Sequence, residues 1–171
     1  MKLPKWEALI THFPNKPAKD VFTEIGGKVQ LNYEIGVFTN ACATRISQAL
    51  NFSGEDHLIP YYTTTDKAGK KTTQVSSGEK SSVQQDGNRT KKWYIFRVRV
   101  LLQYLEGKYG APETVSPAEY KENLKGRKGI IVFEVSGWSD ATGHADLWDG
   151  EQCVRSDFGD KAHTILFWEA A

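Results

Sequence analysis

Gly129-Ile130-Ile131-Val132-Phe133-Glu134-Val135 is an apolar, largely β-branched run opened by a glycine, the composition of a central β-strand. Downstream, Ala145–Trp148 and Cys153–Phe158 flank an Asp149-Gly150 turn signal and predict a hairpin, and His163–Trp168 predicts a last strand. Upstream the periodicity is helical. Trp6, Leu9, Ile10 and Phe13 fall on one helix face, and Ala18–Ile25 reads as a second helix closed by Gly26-Gly27. A third helix is expected from Ala41 to Leu50, capped by Asn40 and buried through Ala43, Ile46, Ala49 and Leu50. Trp93, Phe96, Val100, Leu101, Tyr104 and Leu105 predict a helix over 93–107, and Ser116 caps a short one from Pro117 to Leu124. Residues 28–39 read as irregular or a short strand. Helices first and an antiparallel sheet second define an α+β class, with N-terminal helices packed on a C-terminal sheet.

The 171 residues fit a single domain, 1–171, interrupted by a long polar insertion at about 54–92 in which Leu58-Ile59-Pro60-Tyr61-Tyr62 is the one apolar cluster. Five Trp, seven Tyr and eight Phe suit a core and also a groove for an extended polar ligand. A net charge of +1 gives no basic footprint for nucleic acid. Between Thr64 and Lys92, seven Lys/Arg face three Asp/Glu. That is the pattern of a solvated loop, or of a weak attraction for an anionic polymer. The first thirty residues hold no apolar signal-peptide core, and no run is long enough to span a bilayer. Synthesis in the cytoplasm, no signal peptide and no membrane insertion are therefore expected. The two cysteines, Cys42 and Cys153, form neither a disulfide framework nor a metal-ligand spacing, so no metal and no cofactor are expected.

Cys42 falls at the start of a capped helix, where unsatisfied N–H groups and the helix dipole favour a thiolate and can hold an oxyanion. Its bland alternative is a small buried hydrophobe. Gly143-His144-Ala145-Asp146-Leu147-Trp148-Asp149-Gly150 alternates, with His144, Asp146 and Trp148 on one face and the core-seeking Ala145 and Leu147 on the other. With Gly150-Glu151 as the turn, Trp148 faces Cys153, Asp146 faces Arg155 as a cross-strand ion pair, and His144 faces Asp157, a carboxylate able to orient the imidazole. With Asp149-Gly150 as the turn, His144 faces Arg155 instead. Asp146, two residues along on the same face, is then the orienter. Cys42, His144 and Asp157, with Asp146 as the alternative, are the candidate catalytic set. Their order on an α+β scaffold resembles papain-like peptidases.

Asn40-Ala41-Cys42-Ala43-Thr44-Arg45-Ile46-Ser47, followed by Ala49-Leu50-Asn51, resembles the nucleophile helix of the type VI secretion amidase effectors, fourth family. Tyr94-Ile95-Phe96-Arg97-Val98 is similar to that family's central helix, and Gly143–Gly150 with Cys153 behind it resembles its histidine hairpin. The likeness spans roughly residues 35–160. It implies an NlpC/P60-type papain-like fold and a toxin that hydrolyses the γ-D-glutamyl–meso-diaminopimelate bond of peptidoglycan stem peptides. It further implies delivery by the type VI secretion apparatus into the periplasm of a target bacterium, and a cognate immunity protein that blocks the groove. Cys42 carries over as nucleophile and His144 as base. The family's acidic residue is expected just after the hairpin cysteine, whereas here Cys153-Val154-Arg155-Ser156-Asp157 sets it four residues on. Two other functions use the same features. One is a thiol-dependent acyltransferase or deamidase with the same Cys and His, and the other is a non-catalytic module whose aromatics line a glycan or peptide groove.

Overall fold

The computed structural model describes residues 1–78, 92–136 and 143–171; the middle of the polar insertion, 79–91, and residues 137–142 lie outside them. The helices are α1 (Trp6–His12), α2 (Ala18–Ile25), α3 (Gly27–Glu34), α4 (Cys42–Asn51), α5 (Val98–Tyr109) and α6 (Tyr120–Asn123). The strands are β1 (Thr63–Thr65), β2 (Lys71–Thr73), β3 (Val75–Gly78), β4 (Lys92–Ile95), β5 (Glu113–Val115), β6 (Gly129–Glu134), β7 (Gly143–Trp148) and β8 (Thr164–Glu169). The result is a mixed helix and sheet protein in which every described strand pairing is antiparallel. The chain divides into two compact units, His12–Phe96 and Met1–Thr11 with Arg97–Ala171.

In the His12–Phe96 unit, α2 turns Val21, Phe22 and Ile25 inward. They join Val29, Phe38, Ala41 and Tyr94 in one core, where Phe22 and Phe38 meet at 5.3 Å and Phe38 stacks on Phe96 at 4.8 Å. Burying an aromatic or aliphatic side chain of this size contributes about 1.5–3 kcal/mol. The expected irregular segment after Ile25 is helix α3. Gly26 and Gly27 both take positive φ, 71° and 58°, and swing the chain directly into the next helix rather than ending helical structure. Because α3 buries only Val29, it has no apolar stripe to announce it.

The helix expected over 93–107 begins later, at Val98, because Lys92–Ile95 is strand β4. Its four residues pair with Val75–Gly78. That partner is distant in sequence, so local periodicity does not reveal it. The Tyr94–Val98 stretch likened to a central helix is therefore strand, then an extended Arg97, then the first helical residue. A hairpin does occupy the polar insertion: β1 pairs with β2 between Tyr62 and Gln74.

In the other unit, β5, β8, β6 and β7 form a four-stranded sheet in that order, and β6, the predicted central strand, lies between β8 and β7. Ile131, Phe133, Trp148, Ile165 and Phe167 build one face of the sheet into a core with Val115, Tyr120 and Leu124. The expected helix from Pro117 shortens to α6 preceded by turns, with Ser116 Oγ accepting the Ala118 N–H at 3.3 Å. Residues 153–158 do not form the return strand of a hairpin. One bridge joins Trp148 to Cys153, as the Gly150-Glu151 register requires, and the chain then leaves the sheet.

Candidate active site

Cys42 is the first residue of α4 and is buried. The cap position is Ala41 rather than Asn40, but Asn40 still serves the helix start: its Oδ1 accepts the Cys42 N–H at 2.9 Å. An α-helix supplies no acceptor for the N–H groups of its first turn, so those of Ala43 and Thr44 have no partner within α4. Nearly all of α4 is buried, polar residues included: Thr44, Ser47 and Asn51 bond to β4, and the Arg45 guanidinium donates to the Lys16 carbonyl at 3.0 Å. Ser47 Oγ accepts the Ile95 N–H at 2.9 Å, and Asn51 Nδ2 donates to the Trp93 carbonyl at 2.8 Å. Asn51 Oδ1 also accepts the Ile59 N–H at 2.9 Å. These bonds lock the helix in place along its length, and with it the position of the Cys42 sulfur.

His144 is the second residue of β7 and is buried. Its cross-strand neighbour is Phe133, and the two rings stack at 6.4 Å; Phe158 closes over the imidazole at 4.7 Å. Sequence alternation predicts the His144 face correctly but not its surroundings. All six residues of β7 are buried, so the His144, Asp146 and Trp148 face also packs into the interior. Gly143 permits this: a Cβ there would lie 1.9 Å from the Phe133 carbonyl oxygen, so only glycine lets β6 approach this closely.

The carboxylate beside His144 is Asp146. Its Oδ2 lies 3.2 Å from His144 Nε2 and accepts the backbone N–H groups of Arg155 at 3.0 Å and Ser156 at 2.8 Å. Oδ1 accepts the Leu147 N–H at 2.8 Å. Asp146 is fully buried, and these donors supply what solvent would otherwise provide. The expected Asp146–Arg155 ion pair is thus replaced by a bond to the Arg155 main chain.

Asp157 does not face His144, which corrects the expected pairing: the register holds at Trp148–Cys153 and the pairing ends there. Once the chain leaves the sheet after Cys153, Asp157 instead accepts the Tyr120 hydroxyl, 2.7 Å from both carboxylate oxygens, and the Gly159 N–H at 2.8 Å. The same departure aims the Arg155 and Ser156 amides at Asp146. Sequence reasoning missed Tyr120 and Phe158, and no local signal marks either. Cys153 is half-buried, and burial, then the charges of Asp146, Asp157 and Asp149, push its thiol far up. Both cysteines are free thiols. Among the described residues, no group of His, Cys, Asp or Glu is placed to hold a metal ion, and no helix is long and apolar enough to cross a membrane.

The described residues thus hold a cysteine at a helix start in one unit and a histidine–carboxylate pair on a sheet strand in the other, in a mixed α/β chain with antiparallel sheets. Residues 38–168, most of the chain, match type VI secretion system (T6SS) amidase effector protein 4, Tae4, and the chain belongs to this amidase effector family. Solved structures agree over the full length. The chain is 29% identical to the crystal structure of the type VI effector–immunity complex Tae4–Tai4 from Salmonella Typhimurium, covering 98% of this chain and 99% of that one with a TM-score of 0.77. It is 30% identical to the Tae4 effector from Enterobacter cloacae, covering both chains completely with a TM-score of 0.71. The Enterobacter cloacae Tae4–Tai4 complex is also similar, at 30% identity, 98% and 99% coverage and a TM-score of 0.70. No curated protein matches the chain.

Proposed function

We propose that this amidase effector is a cysteine endopeptidase of NlpC/P60, papain-like type that hydrolyses the γ-D-glutamyl–meso-diaminopimelate bond of peptidoglycan stem peptides, with 1–171 acting as one domain. Cys42 is the nucleophile, His144 the base and Asp146 the residue that orients the imidazole. The observation that carries the assignment is the His144–Asp146 pair at 3.2 Å, in a chain whose family match includes both Cys42 and His144. With the Nε2 proton directed at Asp146, Nδ1 is the basic nitrogen.

The Cys42 thiolate attacks the amide carbonyl carbon, and N–H groups of the first turn of α4 hold the oxyanion. Collapse of the tetrahedral intermediate breaks the C–N bond, and the imidazolium gives its proton to the departing amine. His144 then takes a proton from water, which attacks the thioester. The C–S bond breaks, releasing the new carboxylate and restoring the thiolate. The reaction needs no metal and no cofactor. Two of the solved relatives are Tae4–Tai4 effector–immunity complexes, and a cognate immunity protein is the corresponding partner here. Delivery by the type VI apparatus into the periplasm of a target bacterium is the setting in which such an activity kills.

Digestion of whole sacculi tests the bond assignment. Mass spectrometry should find a free amine on meso-diaminopimelate and a free γ-carboxyl on D-glutamate. Cleavage at the N-acetylmuramoyl–L-alanine bond instead would refute it.

A further inference from the structure

The β1–β2 hairpin has two unlike faces. Antiparallel partners share a sheet face, and alternate residues change face. The register pairs Thr63 with Thr73 and Thr65 with Lys71, so these four lie together, while Thr64 and Thr72 lie on the opposite face. Tyr61 extends the first group, because its hydroxyl bonds to Thr73 Oγ1 at 2.9 Å. The opposite face is engaged by the protein itself: Thr64 Oγ1 accepts a hydrogen bond from the buried Gln74 at 2.8 Å.

Tyr61 is 56% exposed, yet its ring is held at both ends, by Thr73 and by an edge contact with Trp93 at 5.0 Å. An exposed aromatic fixed in this way presents a face without having to lose side-chain freedom on binding. Lys71 stands at the other end of the row, roughly 13 Å away at the rise of an extended strand. Lys67 and Lys70 join it at the turn, and all three lysines are exposed. The only acidic residue between Tyr61 and Gln74 is Asp66, whose carboxylate accepts the N–H groups of Ala68 and Lys70, both at 2.9 Å, and shapes the turn.

We infer that this face docks the peptidoglycan strand itself. Tyr61 stacks on the apolar side of a hexosamine ring, the threonine hydroxyls bond sugar hydroxyls, and the lysines pair with stem-peptide carboxylates. Charge complementarity selects this occupant: the row is cationic at one end and aromatic at the other, and a glycan bearing anionic peptides matches both. The inference rests on the amidase reading for its choice of polymer.

Pelleting with purified sacculi tests it, using Cys42→Ala protein so that the polymer stays intact. The parent should pellet. Adding Tyr61→Ala should weaken binding about three- to ten-fold, the scale of one aromatic contact. Lys71→Glu should weaken it more at low salt than at high salt. Thr72→Ala, on the opposite face, should bind like the parent. With free glycan strands lacking stem peptides, followed by isothermal titration calorimetry, the Tyr61→Ala loss should persist and the Lys71→Glu loss should vanish. The docking surface is overturned if the parent fails to pellet, or if Tyr61→Ala and Lys71→Glu both pellet like the parent. It is equally overturned if they weaken only the binding of an immunity protein. Failure of the amidase reading shows elsewhere, as wild-type protein that releases no new free amine from the same sacculi.

Discussion

His144 Nε2 lies 3.2 Å from Asp146 Oδ2, and the same carboxylate oxygen is gripped by the main-chain N–H groups of Arg155 and Ser156. The imidazole is therefore oriented by an acid two residues along its own strand, and that acid is held by the loop that follows Cys153. Residues 153–159 act on the site through their backbone, while their one carboxylate, Asp157, is spent on Tyr120.

This arrangement predicts an ordering of two variants. Asp146→Asn keeps the side-chain shape but loses the charge that orients and supports the imidazolium, so kcat on a soluble muropeptide should fall on the order of 10²- to 10⁴-fold. Asp157→Asn, which touches the Tyr120 hydroxyl, should lower stability by about 1–3 kcal/mol and leave kcat within several-fold of wild type. Steady-state kinetics alongside chemical denaturation separate the two. A larger kcat loss in Asp157→Asn would reinstate Asp157 as the orienting acid.

Much of this was legible in sequence, and the failures share a cause. The β6 run, α2, α4 and β8 announce themselves by local pattern, and period-2 alternation placed Asp146 beside His144 as one of two options. What misled was non-local. The Asp149-Gly150 turn signal is real, and Trp148 does meet Cys153. Nothing in Val154–Phe158 says that the chain quits the sheet there, because the pull comes from Tyr120 and from the carboxylate of Asp146. Strand β4 was hidden likewise, since its apolar residues suit a helix until Val75–Gly78 supplies a ladder.

Gly143 should not tolerate a side chain. A Cβ 1.9 Å from the Phe133 carbonyl oxygen forces β6 and β7 apart at the pair that carries His144. Gly143→Ala should cost about 1–3 kcal/mol or more and lower activity with it. Thermal unfolding checks this, and a variant as stable as wild type would show that the sheet edge yields.

Alkaline pH should expose Tyr104. Burial pushes its phenol up to about 12 from an ordinary value of 10. The folded state thus holds the proton more tightly than the unfolded chain. Its contribution is fully present below about pH 10 and is lost as pH rises through about 12. Lys108 Nζ, 3.3 Å from the hydroxyl, is the nearest cation described. Guanidinium unfolding between pH 9 and 12 should show a shallower decline for Tyr104→Phe than for wild type, and parallel declines would contradict the assignment.

The central claim is that a single thiol, Cys42, performs amide hydrolysis with His144 as its base. Its most direct measurement is release of free amine from a purified muropeptide by wild type, Cys42→Ala and His144→Ala, each first shown by circular dichroism to be folded. Wild type should cleave while both variants show no turnover above the uncatalysed rate. A well-folded Cys42→Ala protein that cleaves at the wild-type rate would contradict the account.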